Sequence, residues 1–332
     1  MSLIIPVFIG HRGCPHRCLF CDQKAISGAD GRPDVAAEIE KWLALSPKRP
    51  AQLAFYGGSF TCLPWPEQQE LLAPARFFLR RGDIDSIRLS TRPDCCGEER
   101  LVRLRRYGVT TIEIGVQSLD ERTLARAQRG HTAADSRQAI ATVKRLGLAC
   151  GVQLLPGLPE ETWPSFLAGI QEIIALRPDF VRLYPALVVA GTGLAALHTA
   201  GLYRPLSLAR AIAWLTKSTP IFSAAHIPVI RYGLPPSPEL ERALVAGPYH
   251  PALGELVAQR LWFLELRRRL STLRPGQILT IFVSGRDLSA LIGQRRGNLI
   301  RLEQLGLRQR LNIVIEPHRA KGSVDYALDS WS

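Results

Sequence analysis

The chain has 332 residues, 46% hydrophobic and 21% charged, which excludes a disordered polar chain and leaves room for more than one domain. Its 42 Lys and Arg outnumber 29 Asp and Glu, a net charge of +13 that suits a polyanionic partner such as RNA or DNA. No apolar run approaches the length of a membrane span. The first residues lack a basic start and a small-residue cleavage site, so a cytoplasmic protein without membrane contact is expected.

From the N-terminus to about residue 234, short β-rich runs alternate with helical stretches. The runs are "LIIPVFIG", "QLAFYGGSF", "SIRLSTRP", "TIEIGVQS", "ACGVQLLPGLP", "DFVRLYPAL" and "IPVIRYGL". Helix-favouring segments between them include Val35–Leu45, Pro66–Arg81, Ala133–Leu146 and Thr162–Leu176. Six or seven β/α units in series predict an α/β core over 1–234, a partial (β/α)6 TIM-like barrel with a parallel sheet and covering helices. Most runs end in Gly, Pro, Ser or Thr, which places polar turns at the C-terminal strand ends where such barrels carry their chemistry. A break at "PPSPEL" opens a helical connector over 235–276 with a basic end, "ELRRRL". Residues 277–318 read as strand "ILTIFVS", helix "RDLSALIG", loop "QRRG", helix "NLIRLEQLG" and strand "LNIVIEP", a small β-α-α-β unit. The polar tail 319–332 is expected to be poorly ordered.

Three of the seven cysteines crowd into "CPHRCLFC": Cys14, Cys18 and Cys21, on the loop after the first strand. An odd, unevenly spaced set in a cytosolic-looking chain points to metal binding over disulfides. Thiolates are the usual ligands of iron–sulfur clusters. Three of them on a four-iron cube leave one iron open, as a catalytic centre requires. Zinc would need a fourth ligand, for which His11 or His16 is at hand without the paired spacing of a zinc finger. Cys62, Cys95, Cys96 and Cys150 are scattered and read as core or turn cysteines.

The C-x3-C-x2-C pattern with Phe20 before its last cysteine, on the first loop of a β/α barrel, resembles the radical S-adenosylmethionine (SAM) enzymes. The resemblance implies a [4Fe–4S] cluster on Cys14, Cys18 and Cys21 whose open iron chelates SAM. An electron from a reductant such as flavodoxin or ferredoxin then yields methionine and a 5′-deoxyadenosyl radical. It also implies that Phe20 packs by the adenine and that Gly57 and Gly58 bring backbone carbonyls to the methionine amino group. Ser59, counted with them among the cofactor-binding residues, follows where the family most often has Glu. Ser90, Arg92, Gln117 and Ser118 fall where relatives contact the ribose and carboxylate of SAM. Asp94 has an alternative role as a helix cap.

Within that family the runs "GGSFTCLP", "TRPD", "EIGVQS", "RGHT" and "RPDFVRLYPALVVAGTGL" resemble the Elongator catalytic subunit, which modifies the wobble uridine of tRNA. The resemblance places Arg92, His131, Arg182 and Tyr184 around the reaction chamber. That subunit spaces its first two cysteines more widely and continues into an acetyltransferase domain. No segment here reads as a CoA-binding fold, so a carboxymethyl group made from acetyl-CoA is not implied. "ALIGQRRGNLIRL" resembles the helix–loop–helix of a KH domain, whose G-x-x-G loop clamps single-stranded RNA. Gly293, Arg295, Arg296 and Gly297 would then contact RNA, with Arg296 at the second glycine position and Gly297 one place later. The expected function is a radical SAM enzyme acting on RNA, tRNA foremost. Two alternatives stand beside it: a radical SAM enzyme for a small, porphyrin-type molecule, and a non-enzymatic zinc-stabilised RNA-binding protein.

Overall fold

The computed structural model describes residues 3–22, 25, 26, 28 and 31–330. They form two compact units, 1–214 with 218–251, and 252–332 with 215–217. The last two residues of the polar tail lie outside the described residues.

In the first unit, strands β1 (Leu3–Phe8), β2 (Ala51–Tyr56), β3 (Ser86–Thr91), β4 (Val109–Gln117), β5 (Ala149–Leu154) and β6 (Phe180–Leu183) lie side by side in chain order. After the two-residue β7 (Val188–Val189), strand β8 (Val229–Tyr232) completes a seven-stranded sheet in which all neighbours are parallel. This is the α/β half-barrel that the alternation predicts, with the seventh run in place as its last strand. Parallel strands covered by crossover helices read as apolar runs, and Ile112, Ile114 and Val116 of β4 are fully buried.

Helix boundaries follow local chemistry. Thr132 and Asp135 form a capping box at helix Ala133–Arg145, and Thr162 with Ser165 another at Trp163–Leu176. Helix Trp65–Arg81 ends on Gly82 at φ 77, the left-handed stop that glycine tolerates. The segment read as a connector divides between the units. Its helix Pro238–Ala243 and strand β9 (Leu244–Ala246) stay with the first unit, β9 pairing antiparallel with β7. Helix Leu253–Ser271 belongs to the second, where Leu266 and Leu270 join its core.

The second unit is a three-stranded sheet in the order β11–β10–β12, from β10 (Gln277–Ser284), β11 (Leu311–Glu316) and β12 (Val324–Ser330). β10 and β11 are parallel and are joined through helices Leu288–Ile292 and Gly297–Gln304. β12 lies in the tail expected to be poorly ordered, and it is a strand instead. It pairs antiparallel with β10, buries Val324 and Tyr326 against the core, and carries the Arg269 guanidinium 3.5 Å from the Tyr326 ring centroid. A seven-residue edge strand that carries two aspartates, Asp325 and Asp329, is hard to tell from polar loop by composition alone. Among the described residues no helix is long and apolar enough to cross a membrane.

Candidate active site at the strand C-termini

The cysteine loop leaves β1 and is sewn to its neighbours by backbone bonds. The amides of Ile9 and His11 donate to the carbonyls of Tyr56 (2.8 Å) and Gly57 (2.7 Å), and that of Ser59 to Arg12 (3.0 Å). The amide of Leu19 donates to Ala127 (3.1 Å), and that of Leu194 to Leu19 (2.7 Å). Glycines permit this closeness: a Cβ on Gly13 would stand 2.2 Å from the Ser59 carbonyl oxygen, and one on Gly58 2.5 Å from that of Arg12. Gly58 is therefore required by loop-against-loop packing, whatever its carbonyl does for a ligand.

Cys14, Cys18 and Cys21 are thiols, with Cys18 buried and the other two partly so. Among the described residues no three His, Cys, Asp or Glu side chains converge as ligands of a single metal ion. Cys18 Sγ lies 3.3 Å from Nη1 of Arg129, a residue to which the sequence reading assigns no role. Burial pushes the Cys14 thiol up, against the opposing pull of the Arg129 and Arg92 guanidiniums. Phe20 packs with Leu155 on Ala127, Leu158 and Ala186, and also against the cluster of Val188, Leu194 and Tyr203.

Of the predicted ligand residues at the ends of β3 and β4, Arg92 and Gln117 lie at the same rim. Arg92 is 2% exposed; its Nε and Nη2 donate to Asp94 at 2.9 and 3.1 Å, while Nη1 has no partner. Asp94 thus pairs with Arg92 and does not cap the following helix, Glu98–Arg106, whose N-cap is Gly97 with no side-chain bond. Gln117 ends β4 at φ 67, a conformation rare for a residue with a Cβ and often kept at functional sites. It is buried, and its Oε1 has no partner. His131 places Nε2 3.3 Å from the Val116 carbonyl and leaves Nδ1 without a partner. Burial, then the charges of Arg129 and Arg92, push His131 down to about 3, so it is neutral at physiological pH.

Two predicted contacts are engaged elsewhere. Ser59 Oγ accepts from the Arg92 amide (3.1 Å) and meets Thr91 Oγ1 (3.0 Å) and Cys62 Sγ (2.9 Å). Ser118 Oγ donates to Glu161 (2.9 Å), which also accepts from the Gly157 amide (2.8 Å). Burial pushes Glu161 up to about 8. Ser90 and Tyr184 face a different network inside the barrel. There Glu113, fully buried, accepts from Arg88 (2.7 Å) and Gln153 (2.9 Å) and forms an ion pair with Arg182 at 2.9 Å. Arg182 donates to Tyr184 (3.0 Å) and Tyr56 (2.9 Å), and Gln153 reaches Ser90 at 3.4 Å.

Cys62 and Cys95 correct the expectation against disulfides. They lie on the turns that follow β2 and β3, which bring their Cα atoms to 5.4 Å, and they are bonded. Cys96 and Cys150 are buried thiols, as core cysteines should be. In the second unit, Arg295 and Arg296 are exposed and both left-handed, at φ 51 and 61. Gly297, at φ −57, begins the helix with open space around its Cβ position. The demanding backbone positions of that loop are therefore Gly293, at φ 78, and the two arginines, not Gly297. Asn298 anchors the loop by donating to the carbonyls of Gln259 (2.8 Å) and Leu291 (3.0 Å).

Buried polar atoms normally find partners. Among the described residues, Arg92 Nη1, Gln117 Oε1, Arg129 Nε and His131 Nδ1 lack one, and they share a rim with three thiols. Such a rim suits an anionic, thiolate-held group and a charged polar molecule beside it. A parallel half-barrel with this loop after its first strand defines an enzyme class that works at its strand C-termini.

Residues 8–172 match the Radical SAM superfamily and residues 178–262 the Radical_SAM C-terminal domain. The chain belongs to the radical SAM superfamily, whose cofactors are a [4Fe–4S] cluster and SAM. It is similar to an uncharacterized protein of Methanocaldococcus jannaschii, 31% identical over 61% of this chain and 66% of that protein. It is also similar to the tRNA uridine(34) acetyltransferase of the same organism, 35% identical over 35% of this chain and 22% of the relative. Among solved structures, the archaeal Methanocaldococcus infernus Elp3 with an N-terminal deletion superposes with a TM-score of 0.63 at 21% identity, over 81% of this chain and 63% of that one. The chain thus spans less than two thirds of the length of each of these proteins.

Proposed function

We propose that this chain is a radical SAM enzyme that modifies a nucleoside in RNA, with tRNA as the foremost substrate. Cys14, Cys18 and Cys21 are the thiolate ligands in this reading. The bound cluster and SAM supply an electron and a 5′-deoxyadenosyl radical. The observation that carries the assignment is the set of partnerless buried atoms on Arg92, Gln117 and His131 beside the cysteine loop.

Arg92 offers Nη1 to the SAM carboxylate, its charge held in place by Asp94. Gln117 offers Oε1 to a ribose hydroxyl or to the amino group. Neutral His131 offers a lone pair at Nδ1, able to accept a hydrogen bond from the substrate side. Phe20 forms an apolar wall for the adenine, and Gly57 with Gly58 sets the loop that faces it. Ser59 and Ser118 shape the rim through the Arg92 amide and Glu161, while Ser90 and Tyr184 line the barrel interior. The RNA reading draws on the name of the tRNA uridine(34) acetyltransferase relative, on the net charge, and on exposed Arg295 and Arg296. Gly293 and Gly297 flank that loop as a KH-like backbone grip.

Nucleoside mass spectrometry of tRNA and ribosomal RNA tests the proposal in three strains: parent, deletion, and a Cys14→Ala/Cys18→Ala/Cys21→Ala replacement. One modified nucleoside should vanish from both altered strains. An unchanged nucleoside profile would refute an RNA substrate. Cleavage of SAM by the anaerobically purified triple variant would refute the ligand assignment.

A further inference from the structure

Arg129 is 6% exposed, and among the described residues no carboxylate lies within ion-pair distance of it. A buried guanidinium without a counter-ion is costly, and it persists where an anion completes the site. Nη1 points to Cys18 Sγ at 3.3 Å, Nη2 donates to the Gly115 carbonyl at 2.8 Å, and Nε has no partner among the described residues. The surroundings hold this pose. Gly115 leaves room for it, because a Cβ there would stand 3.0 Å from Nη2. The Arg129 amide donates to the Leu124 carbonyl at 3.0 Å. One residue on, Gly130 abuts the His16 ring, which a Cβ at that position would approach to 2.6 Å. The Leu19–Ala127 backbone bond closes the other side. The strip 127–130 is thus fastened along the cysteine loop, with one guanidinium turned onto its buried sulfur.

We propose that Arg129 is a positioning residue that acts through Cys18, donating to its ligand sulfur and raising the reduction potential of the cluster. The proposal rests on the reading of Cys14, Cys18 and Cys21 as its ligands. Taking up one electron makes the cluster more negative, and a hydrogen bond with positive charge at a ligand sulfur favours that reduced state. Planarity matters as much as charge. The guanidinium spans sulfur and carbonyl in one rigid fork, which a lysine ammonium does not reproduce.

The test uses full-length protein reconstituted anaerobically, with iron and acid-labile sulfide assayed and the cluster titrated with dithionite under electron paramagnetic resonance. Arg129→Gln should load four irons as the parent does. Its midpoint should fall by at least about 59 mV, a tenfold change in the one-electron equilibrium constant. Arg129→Lys should shift in the same direction by less. Equal midpoints in every loaded protein overturn the proposal. If Arg129→Gln fails to load, Arg129→Lys decides: a lowered midpoint supports the proposal, and the parental midpoint overturns it. Unfolding of both variants also overturns it, by making Arg129 a packing residue. Loss of iron from both with the fold retained likewise overturns it, by making Arg129 necessary for holding the cluster and not for its potential. The ligand reading fails separately, if Cys18→Ala keeps four irons at the parental midpoint.

Discussion

Glu161 gives the rim a pH signature. Burial pushes its carboxyl from the ordinary 4.5 up to about 8, against the bonds it accepts from the Gly157 amide and Ser118. A carboxyl raised on folding is protonated in the folded chain where the unfolded chain has released the proton. Its contribution to stability is fully present below about pH 4.5 and is lost as the pH rises through 8. While only the folded state holds the proton, the slope is about 1.4 kcal/mol per pH unit. Two units at that slope, halved near the folded pKa, amount to about 2 kcal/mol between pH 6 and pH 8. Glu161→Gln keeps an acceptor for Ser118 and does not titrate, so it should escape that loss. Urea unfolding of metal-free protein, followed by circular dichroism at half-unit pH steps, measures both curves. Parallel curves over this window would refute the reasoning. His131 cannot mimic the effect. Its depressed value means that its contribution is present above pH 6.5 and is lost as the pH falls towards 3.

The barrel interior yields a second expectation. Glu113→Leu strands Arg88 and Arg182 without their shared carboxylate and should cost about 3–5 kcal/mol, whereas Glu113→Leu/Arg88→Met/Arg182→Met should recover most of it. Hydrogen exchange of the β4 peptide reads this as about two to four decades of lost protection in the single variant. In the second unit, Arg296→Gly relieves a left-handed residue and should raise stability by roughly 1 kcal/mol. Gly297→Ala, at helical φ with open space, should be neutral or stabilising by thermal melting.

Much of the first unit was legible because its signals are local. Helix Val35–Leu45 occupies its predicted span, and Thr162, counted inside the predicted helix, is the cap of Trp163–Leu176. Apolar runs ending in turn residues mark the seven parallel strands, since covered strands need no polar face. Strands β7 and β9 escaped notice because two or three residues carry no period.

The spacing of Cys14, Cys18 and Cys21 needs no fold to be read, because three thiols within eight positions share one loop wherever the chain goes. By itself the sequence therefore determined the half-barrel, the chemistry class and the crowding of three thiols on one loop. Only the tertiary structure decided what surrounds that loop. Cys62 meets Cys95 across 33 residues, and Arg129 reaches Cys18 across 111. Glu113 draws Arg88 and Arg182 from two other strands. Each pairing depends on which strands are neighbours and where their C-terminal turns meet. Side-chain identity sets what a residue can bond, but sheet order and burial choose its partner and leave certain polar atoms without one.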